Sequence, residues 1–188
     1  STVEPLTRLA CAIAKHRKTS VVALHLVEIP RQLPSSEGRE FIDRADPLFE
    51  AAVKIGNTME VPVLSSLWVS ENLHAGLLDA IAEKKPSLVL LGWRGQTRAR
   101  ARLFGTTLDP VLLGSPADTL LLRWRNKKEK LSRVLVGVTA SPHARLCVEV
   151  AEALEEELGS KTRYLHIIKR GTPMDGATAV SYTHLRAH

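Results

Sequence analysis

One stretch of the sequence, residues 87–106, constrains the fold more than any other. It opens with a short run from Ser87 to Leu91 that is almost wholly aliphatic and that stops at Gly92. Runs of this length and composition are typical of strands that are buried on both faces of a parallel sheet. The sequence therefore predicts a buried parallel strand that leads directly into a glycine-containing loop.

The loop has the pattern G-x2-G-x9-G-T, formed by Gly92, Gly95, Gly105 and Thr106, and a short apolar helix from Thr107 to Leu113 is predicted behind it. Glycines let the backbone approach a ligand closely, and the N–H groups that open the helix point at whatever is bound. Phosphate is the natural occupant, because Thr106 can cap the helix and offer its hydroxyl to a phosphate oxygen. Positive charge in the loop comes from Arg94, Arg98, Arg100 and Arg102.

This arrangement of strand, glycine loop, helix and a further strand at Asp118–Leu122 resembles the nucleotide-binding signature of the universal stress protein family, in the subgroup that binds ATP. The less favoured alternative is a tight strand-to-helix turn that holds no ligand. The sequence around Gly92 and from Phe104 to Leu112 looks most like the stress-protein tails of amino-acid permeases of the amino acid–polyamine–organocation superfamily.

The resemblance implies a site for ATP, with or without Mg²⁺. The backbone around Leu26 would meet the adenine, the turn at Leu91 and Gly92 would lie under the ribose, and the loop would hold the phosphates. Trp93 either covers the nucleotide or packs the loop onto its own domain. The complete set of predicted binding residues is Leu26, Leu91, Gly92, Arg94, Gly95, Gly105, Thr106 and Thr107.

Alternating elements surround this stretch. A helix is predicted over residues 4–17 and a strand over Val21–Val27, followed by a loop to Gly38 and a helix that Pro47 either kinks or splits. Pro62 suits an edge strand at Val61–Val69, and a further helix ends at Lys84 and Lys85. The alternation predicts an α/β fold, a doubly wound, Rossmann-like parallel sheet of the adenine nucleotide alpha hydrolase-like type.

An internal repeat relates the two ends of the chain. Leu165 and His166 align with Leu24 and His25 at an offset of 141 residues, and the preceding helices superpose at the same offset. The counterpart of the strand at Val134–Val138 then falls before residue 1. In the sheet order 3-2-1-4-5 that the resemblance implies, the strand missing from the first copy is the central one, beside the ligand crevice.

Two consequences are expected from this gap. The chain should bind ATP weakly until about ten preceding residues are restored, because strands on both sides of the gap lose a backbone partner. Val134–Val138, the strand's own repeat, is a candidate within the chain to fill it. The acidic residue that the resemblance implies after the first strand is absent, and Thr139 stands at the matching position of the second copy.

The predicted domains are a first stress-protein domain at 1–125, a linker at 126–132, a truncated second domain at 133–173 and a tail at 174–188 that reads as non-native sequence. His184 and His188 in that tail have metal-ligand spacing, but a stray tail is the favoured interpretation. Cys11 and Cys147 are both expected to be buried thiols, and His25 and His166 to be hydrogen-bonded residues near the sheet edge.

The composition of the chain limits which binding partners are expected. The net charge is +6, but only 4% of residues are aromatic, so no platform for stacking bases is predicted and nucleic acid is not an expected partner. The sequence has no run of about 18 apolar residues and no signal pattern, so a cytoplasmic location is expected, with or without a tether to the membrane through an upstream membrane domain. Motifs of hydrolases, kinases and zinc sites are absent from the sequence, so no enzyme is expected beyond slow ATP hydrolysis.

Two functions of different classes remain open. The first is an ATP-binding regulatory module, in the form of a cytoplasmic tail of an amino-acid transporter, whose occupancy changes how copies pack on each other or on the membrane part. The second is an interaction module without nucleotide. In either case another stress-protein domain is expected to pair through the strand at 118–124, as a homodimer or in tandem.

Overall fold

The computed structural model describes residues 3–29, 38–93, 108–124, 131–138 and 143–166, and the chain divides into two compact units, 1–129 and 130–188. The first unit contains four helices and four strands among the described residues. In chain order they are α1 (Val3–His16), β1 (Val21–Glu28), α2 (Gly38–Met59), β2 (Val63–Ser70), α3 (Leu73–Lys84), β3 (Leu88–Gly92), α4 (Leu108–Gly114) and β4 (Asp118–Leu122). The second unit contains β5 (Arg133–Val138), α5 (Ala144–Leu158) and β6 (Lys161–His166).

The strands pair in parallel. β1 lies beside β2 in a register that matches Val21 with Val63, and β3 lies beside β4 in a register that matches Gly92 with Leu122. Helices alternate with strands throughout, as expected when parallel neighbours are joined by crossover connections. The predicted α/β fold with a parallel sheet is confirmed, and β2, which Pro62 precedes, is an edge strand.

The four strands of the first unit form two separate pairs. β1 has β2 as its hydrogen-bonded neighbour and β3 has β4, and within the described ranges no strand joins the two pairs. Val134–Val138 belongs to β5, which pairs in parallel with β6 over its whole length. Its placement between β1 and β3 stays a prediction.

Helices cover both faces of the β1–β2 pair. α1 and α2 pack on one face, where the buried residues Cys11, Ala14 and Val61 meet Val21 and Val63. α3 packs on the opposite face, since its Gly76 lies against Leu26, a strand residue of the other parity from Val21. A Cβ at Gly76 would stand 2.8 Å from the Ser70 hydroxyl oxygen, so glycine permits the close approach of α3.

α3, the helix that precedes β3, is capped by hydrogen bonds at both ends. The Asn72 side-chain oxygen accepts hydrogen bonds from the backbone N–H groups of His74 (3.0 Å) and Ala75 (3.3 Å), which caps the helix. At the other end Lys85 has a left-handed backbone, with φ of 46°, and its N–H donates to the carbonyl of Ile81. The predicted stop at Lys84 and Lys85 is confirmed. Ile81 then packs with Val89 and Val111, so α3, β3 and α4 share one core.

α2 is one continuous helix from Gly38 to Met59, so Pro47 does not split it. Ala45 and Ala52 are buried on either side of the proline and lie seven residues apart, on the same face of the helix. Packing of this face against α1 holds both halves on one surface, which outweighs the loss of one backbone donor at Pro47. No helix in the described ranges has the length and apolarity needed to span a bilayer.

The two cysteines differ, and the prediction that both are buried is wrong for Cys147. Cys11 is fully buried in α1, whereas Cys147 is exposed on α5. The buried stripe of α5 runs through Val148, Ala151 and Leu154. Cys147 lies one position before Val148 and is not part of this stripe. A rotation of one residue corresponds to about 100° around a helix, which is enough to turn Cys147 to solvent.

Thiol labelling should separate the two cysteines. Burial raises the pKa of the Cys11 thiol, so less of it is thiolate at any given pH, and its access to reagent is blocked as well. We expect Cys147 to react with an aromatic disulfide at least about tenfold faster than Cys11 at about pH 8. Absorbance of the released thiolate measures the two phases. Cys147→Ser should remove the fast phase alone, and a single rate for both thiols would contradict the assignment.

Candidate functional site

The carboxyl ends of β3 and β4 form one described edge of the predicted site. Gly92 and Leu122 are register partners at this edge, so the residues that follow them leave the sheet side by side. The pairing continues by one residue, because the N–H of Trp93 donates to the carbonyl oxygen of Leu122 at 2.8 Å. Both strand ends are therefore fixed where the glycine loop begins.

A cation stands beside this edge. The Arg123 guanidinium carbon lies 5.1 Å from the centroid of the half-buried Trp93 ring, within the range of a cation–π contact. Arg123 itself is exposed. Arg123 follows Leu122 and Trp93 follows Gly92, so the two residues leave neighbouring strands at the start of the loop.

This contact bears on the two interpretations of Trp93. Its ring packs against Arg123 of the neighbouring strand end, and its backbone belongs to the β3–β4 ladder. The interpretation in which Trp93 packs onto its own domain therefore has a described contact in its favour. Its covering of a nucleotide stays a prediction.

Three predicted site residues fall within the described ranges. Leu91 and Gly92 end β3, and Leu26 is half-buried near the end of β1, where it is the register partner of Trp68 and lies against α3. The predicted helix behind the loop is present from Leu108. The remaining predicted site residues lie outside the described residues; they are Arg94, Gly95, Gly105, Thr106 and Thr107. Thr139 and residues 167–188 also lie outside the described residues.

His25 lies on β1. Its ring packs edge-on against Phe49, with centroids 6.3 Å apart and planes at 86°, so β1 and α2 hold it by aromatic packing. Across the part of the chain that the structure describes, no group of three or more His, Cys, Asp or Glu side chains could hold a metal ion.

Arg123 is not among the residues predicted from sequence for this site. Residues 118–124 were predicted to be a strand that pairs with another domain, and the positive charge was predicted to come from the loop arginines after Trp93. A signal was available, because Gly92 and Leu122 both end apolar runs that were predicted as neighbouring strands. Aligning those ends places Arg123 next to Trp93, but the cation–π contact depends on side-chain conformations that sequence does not specify.

Solved structures share this fold. A universal stress protein from Archaeoglobus fulgidus DSM 4304 superposes with a TM-score of 0.61 at 14% identity, over 96% of this chain and 68% of that chain. The universal stress protein from Archaeoglobus fulgidus in complex with dAMP superposes with a TM-score of 0.52 at 19% identity, over 64% of this chain and 87% of that chain. At these identities the likeness shows the fold alone.

A curated relative and a family profile extend the comparison. The chain is 22% identical over 173 residues to the Na(+)/H(+) antiporter NhaS5 of Synechocystis sp., which covers 91% of this chain. It spans only 25% of the length of that antiporter. The profile of the Universal stress protein family matches residues 2–123, which include α1 through β4 and the whole glycine loop. Because this match extends over more than half of the chain, the chain belongs to the universal stress protein family.

Proposed function

We propose that this chain is an adenine-nucleotide-binding regulatory module that takes ATP at the carboxyl edge of its parallel sheet. The observation that carries the proposal is the paired end of β3 and β4, where the G-x2-G-x9-G-T loop leaves the sheet beside the exposed guanidinium of Arg123. Doubly wound sheets bind ligands outside the carboxyl ends of their strands, and glycine-rich backbone with nearby cations suits phosphate.

The ligand class has support from a relative. The Archaeoglobus fulgidus universal stress protein that shares the fold was solved in complex with dAMP, an adenine nucleotide. For this chain we infer ATP because the long loop between Gly95 and Gly105 and its arginines offer more positive charge than one phosphate requires. Mg²⁺ would accompany the phosphates. The proposed role is binding, with any hydrolysis slow.

The setting we propose is regulation of a membrane transporter from its cytoplasmic side. The antiporter relative is four times as long as the aligned stretch, so in that protein a sequence of this kind is one part of a transporter. Nucleotide occupancy would change how the module packs on the membrane part or on another stress-protein domain. An amino-acid permease is the transporter class that the sequence pattern favours.

A second candidate function is an interaction module that binds no nucleotide. The observation in its favour is the free side of β4, whose edge away from β3 pairs with no strand in the described ranges. An exposed parallel edge offers backbone groups to a second domain. Pairing through residues 118–124 is compatible with nucleotide binding, so pairing alone does not distinguish the two functions. A titration with nucleotide does, because only the first function requires binding.

Gly105→Asp tests the phosphate site. A carboxylate at this position would stand where backbone N–H groups and arginines are proposed to hold phosphate, so it would repel the ligand. We expect calorimetry with ATP and Mg²⁺ to show at least about a tenfold loss of affinity, since a lost charged hydrogen bond costs about 1.5–3 kcal/mol. Gly137→Asp is the matched control, because a Cβ there meets no atom within 4 Å. Unchanged affinity in Gly105→Asp would favour the interaction module.

Arg123→Ala tests the cation at the strand end. We expect the affinity for ATP to fall by about three- to tenfold, and its dependence on salt concentration to weaken, because one exposed phosphate contact is removed. Arg163→Ala, which removes an exposed arginine from β6, should leave both quantities unchanged. Trp93 fluorescence should report the same titration, since Arg123 lies over its ring. Equal affinities in the two variants would show that Arg123 serves only to pack Trp93.

A further inference from the structure

The amino edge of the first unit lies at the end of the strands opposite to the candidate nucleotide site. Each helix of this unit runs back along the strands, so α1, α2, α3 and α4 all end at this edge, directly before β1, β2, β3 and β4. The guanidinium of Arg17, just after α1, donates to the hydroxyl oxygen of Ser87, just before β3, at 3.2 Å. The turns after α1 and α3 are therefore in direct contact. The amino edge, as the term is used below, comprises residues 15–22, 60–64, 83–88 and 113–118.

Two exposed lysines occupy matching positions in these turns. Lys18 follows α1 and Lys85 follows α3, and both have a left-handed backbone, with φ of 53° and 46°. A cation at the end of a helix is stabilised by the helix dipole, which accounts for lysine at both positions. In the described part of the chain neither ammonium group forms an ion pair. The fold thus places two solvated cations, 67 residues apart in sequence, on one edge.

Positive charge exceeds negative charge among the described residues of the amino edge. Glu60 lies 3.4 Å from Lys15, and Glu83 lies 2.9 Å from Lys84, so these four side chains form two ion pairs. Asp118, the first residue of β4, is the remaining carboxylate. The cations outside the two pairs are Arg17, Lys18 and Lys85. A negatively charged partner is therefore favoured at this edge.

Large apolar side chains are exposed on the same edge. Val22 of β1 is 44% exposed, and its register partner Leu64 of β2 is 58% exposed. Both lie on the face that α3 covers, but the close contact of α3 with this face, at Gly76, is near the carboxyl ends of the strands. Leu113, the penultimate residue of α4, is 89% exposed. The amino edge therefore combines solvated cations with apolar side chains that project into solvent.

We propose that the amino edge of the first unit binds the surface of an anionic lipid bilayer. Lys18 and Lys85 lie against the headgroups, and Leu64 and Leu113 enter the boundary between headgroups and acyl chains. Charge complementarity carries the choice of partner, because the cations and the apolar side chains alternate on one side of the unit. Leu64 lies on a sheet surface and Leu113 at a helix end, which suits a planar partner better than a helix, whose apolar face needs a groove. The proposal does not depend on nucleotide binding, since the candidate site is at the opposite edge.

The test is co-sedimentation of the full chain with vesicles of phosphatidylcholine alone or of phosphatidylcholine and phosphatidylserine in equal amounts. We expect at least about tenfold stronger partitioning onto the anionic vesicles, weakening as salt is added. Lys18→Asn with Lys85→Asn removes two charges and introduces a residue that tolerates a left-handed backbone, so partitioning should fall by at least about fivefold. Lys161→Gln with Arg163→Gln is the matched control, because it removes two exposed cations from β6 of the second unit. The control should partition like the original chain.

Leu64→Ser with Leu113→Ser tests the apolar contact. Both side chains are exposed, so the circular dichroism spectrum should be unchanged while partitioning onto anionic vesicles falls by at least about fivefold. Leu135→Ser with Leu165→Ser, at exposed positions of the second unit, should have no effect.

Three results would overturn the proposal. Equal binding to the two kinds of vesicle would remove the role of anionic lipid, and absence of binding to either would remove the bilayer as partner. Equal losses in a variant and its matched control would show that net charge or general apolarity, and not the amino edge, drives the binding. Self-association of the original chain that Leu64→Ser abolishes, without binding to vesicles, would assign the edge to a second copy of the chain.

Discussion

The backbone of a parallel strand needs a hydrogen-bonding neighbour along each buried edge, and this requirement governs the larger unit of the chain. β1 and β3 each have one neighbour in the described structure, at β2 and β4. What holds the two pairs in one unit is helix packing, with α1 in contact with both β1 and β3 and α3 in contact with β1 and β2. Side-chain burial under the helices therefore holds the two strand pairs together, because hydrogen bonds between strands link them only within each pair.

This constraint also reaches the proposed nucleotide site. Leu26 lies near the end of β1 and Gly92 ends β3, so the residues expected to meet the base and the ribose stand on the two strands that lack a common neighbour. The phosphate side is better defined, because β3 and β4 are in register up to Trp93 and Arg123 lies on its ring. We infer that the phosphate edge is formed by local pairing, whereas the base edge depends on the position between β1 and β3.

Sequence patterns predicted the elements because each has a simple cause. Short aliphatic runs predicted the strands. At the ends of α3, the capping Asn72 and the left-handed Lys85 agree with the boundaries expected from composition and from the proline that follows. One expectation failed where one residue of rotation decided the outcome, because Cys147 lies one position off the buried stripe of α5. Of the two outcomes expected at Pro47, a kink or a split, the split is not observed, since α2 runs unbroken from Gly38 to Met59.

The candidate site was predicted mainly as a set of backbone positions, and of these Leu26, Leu91 and Gly92 lie within the described residues. The glycine spacing predicts the loop, and the stretch that matches the family profile, residues 2–123, includes it. Arg123 was missed because its role depends on the register of β3 with β4 and on the conformation of Trp93, and neither is encoded in local spacing. The internal repeat at the offset of 141 residues stays a prediction from the sequence.

We expect the affinity for ATP to depend on the position between β1 and β3, which no described strand occupies. The most direct test is a calorimetric titration with ATP and Mg²⁺ of the chain with a copy of residues 132–141 placed before Ser1, beside the same chain with Val136→Asp in the added copy alone. The account predicts at least about a tenfold higher affinity for the apolar extension, a difference of about 1.4 kcal/mol in binding free energy. Equal affinity in the two extended chains would contradict it.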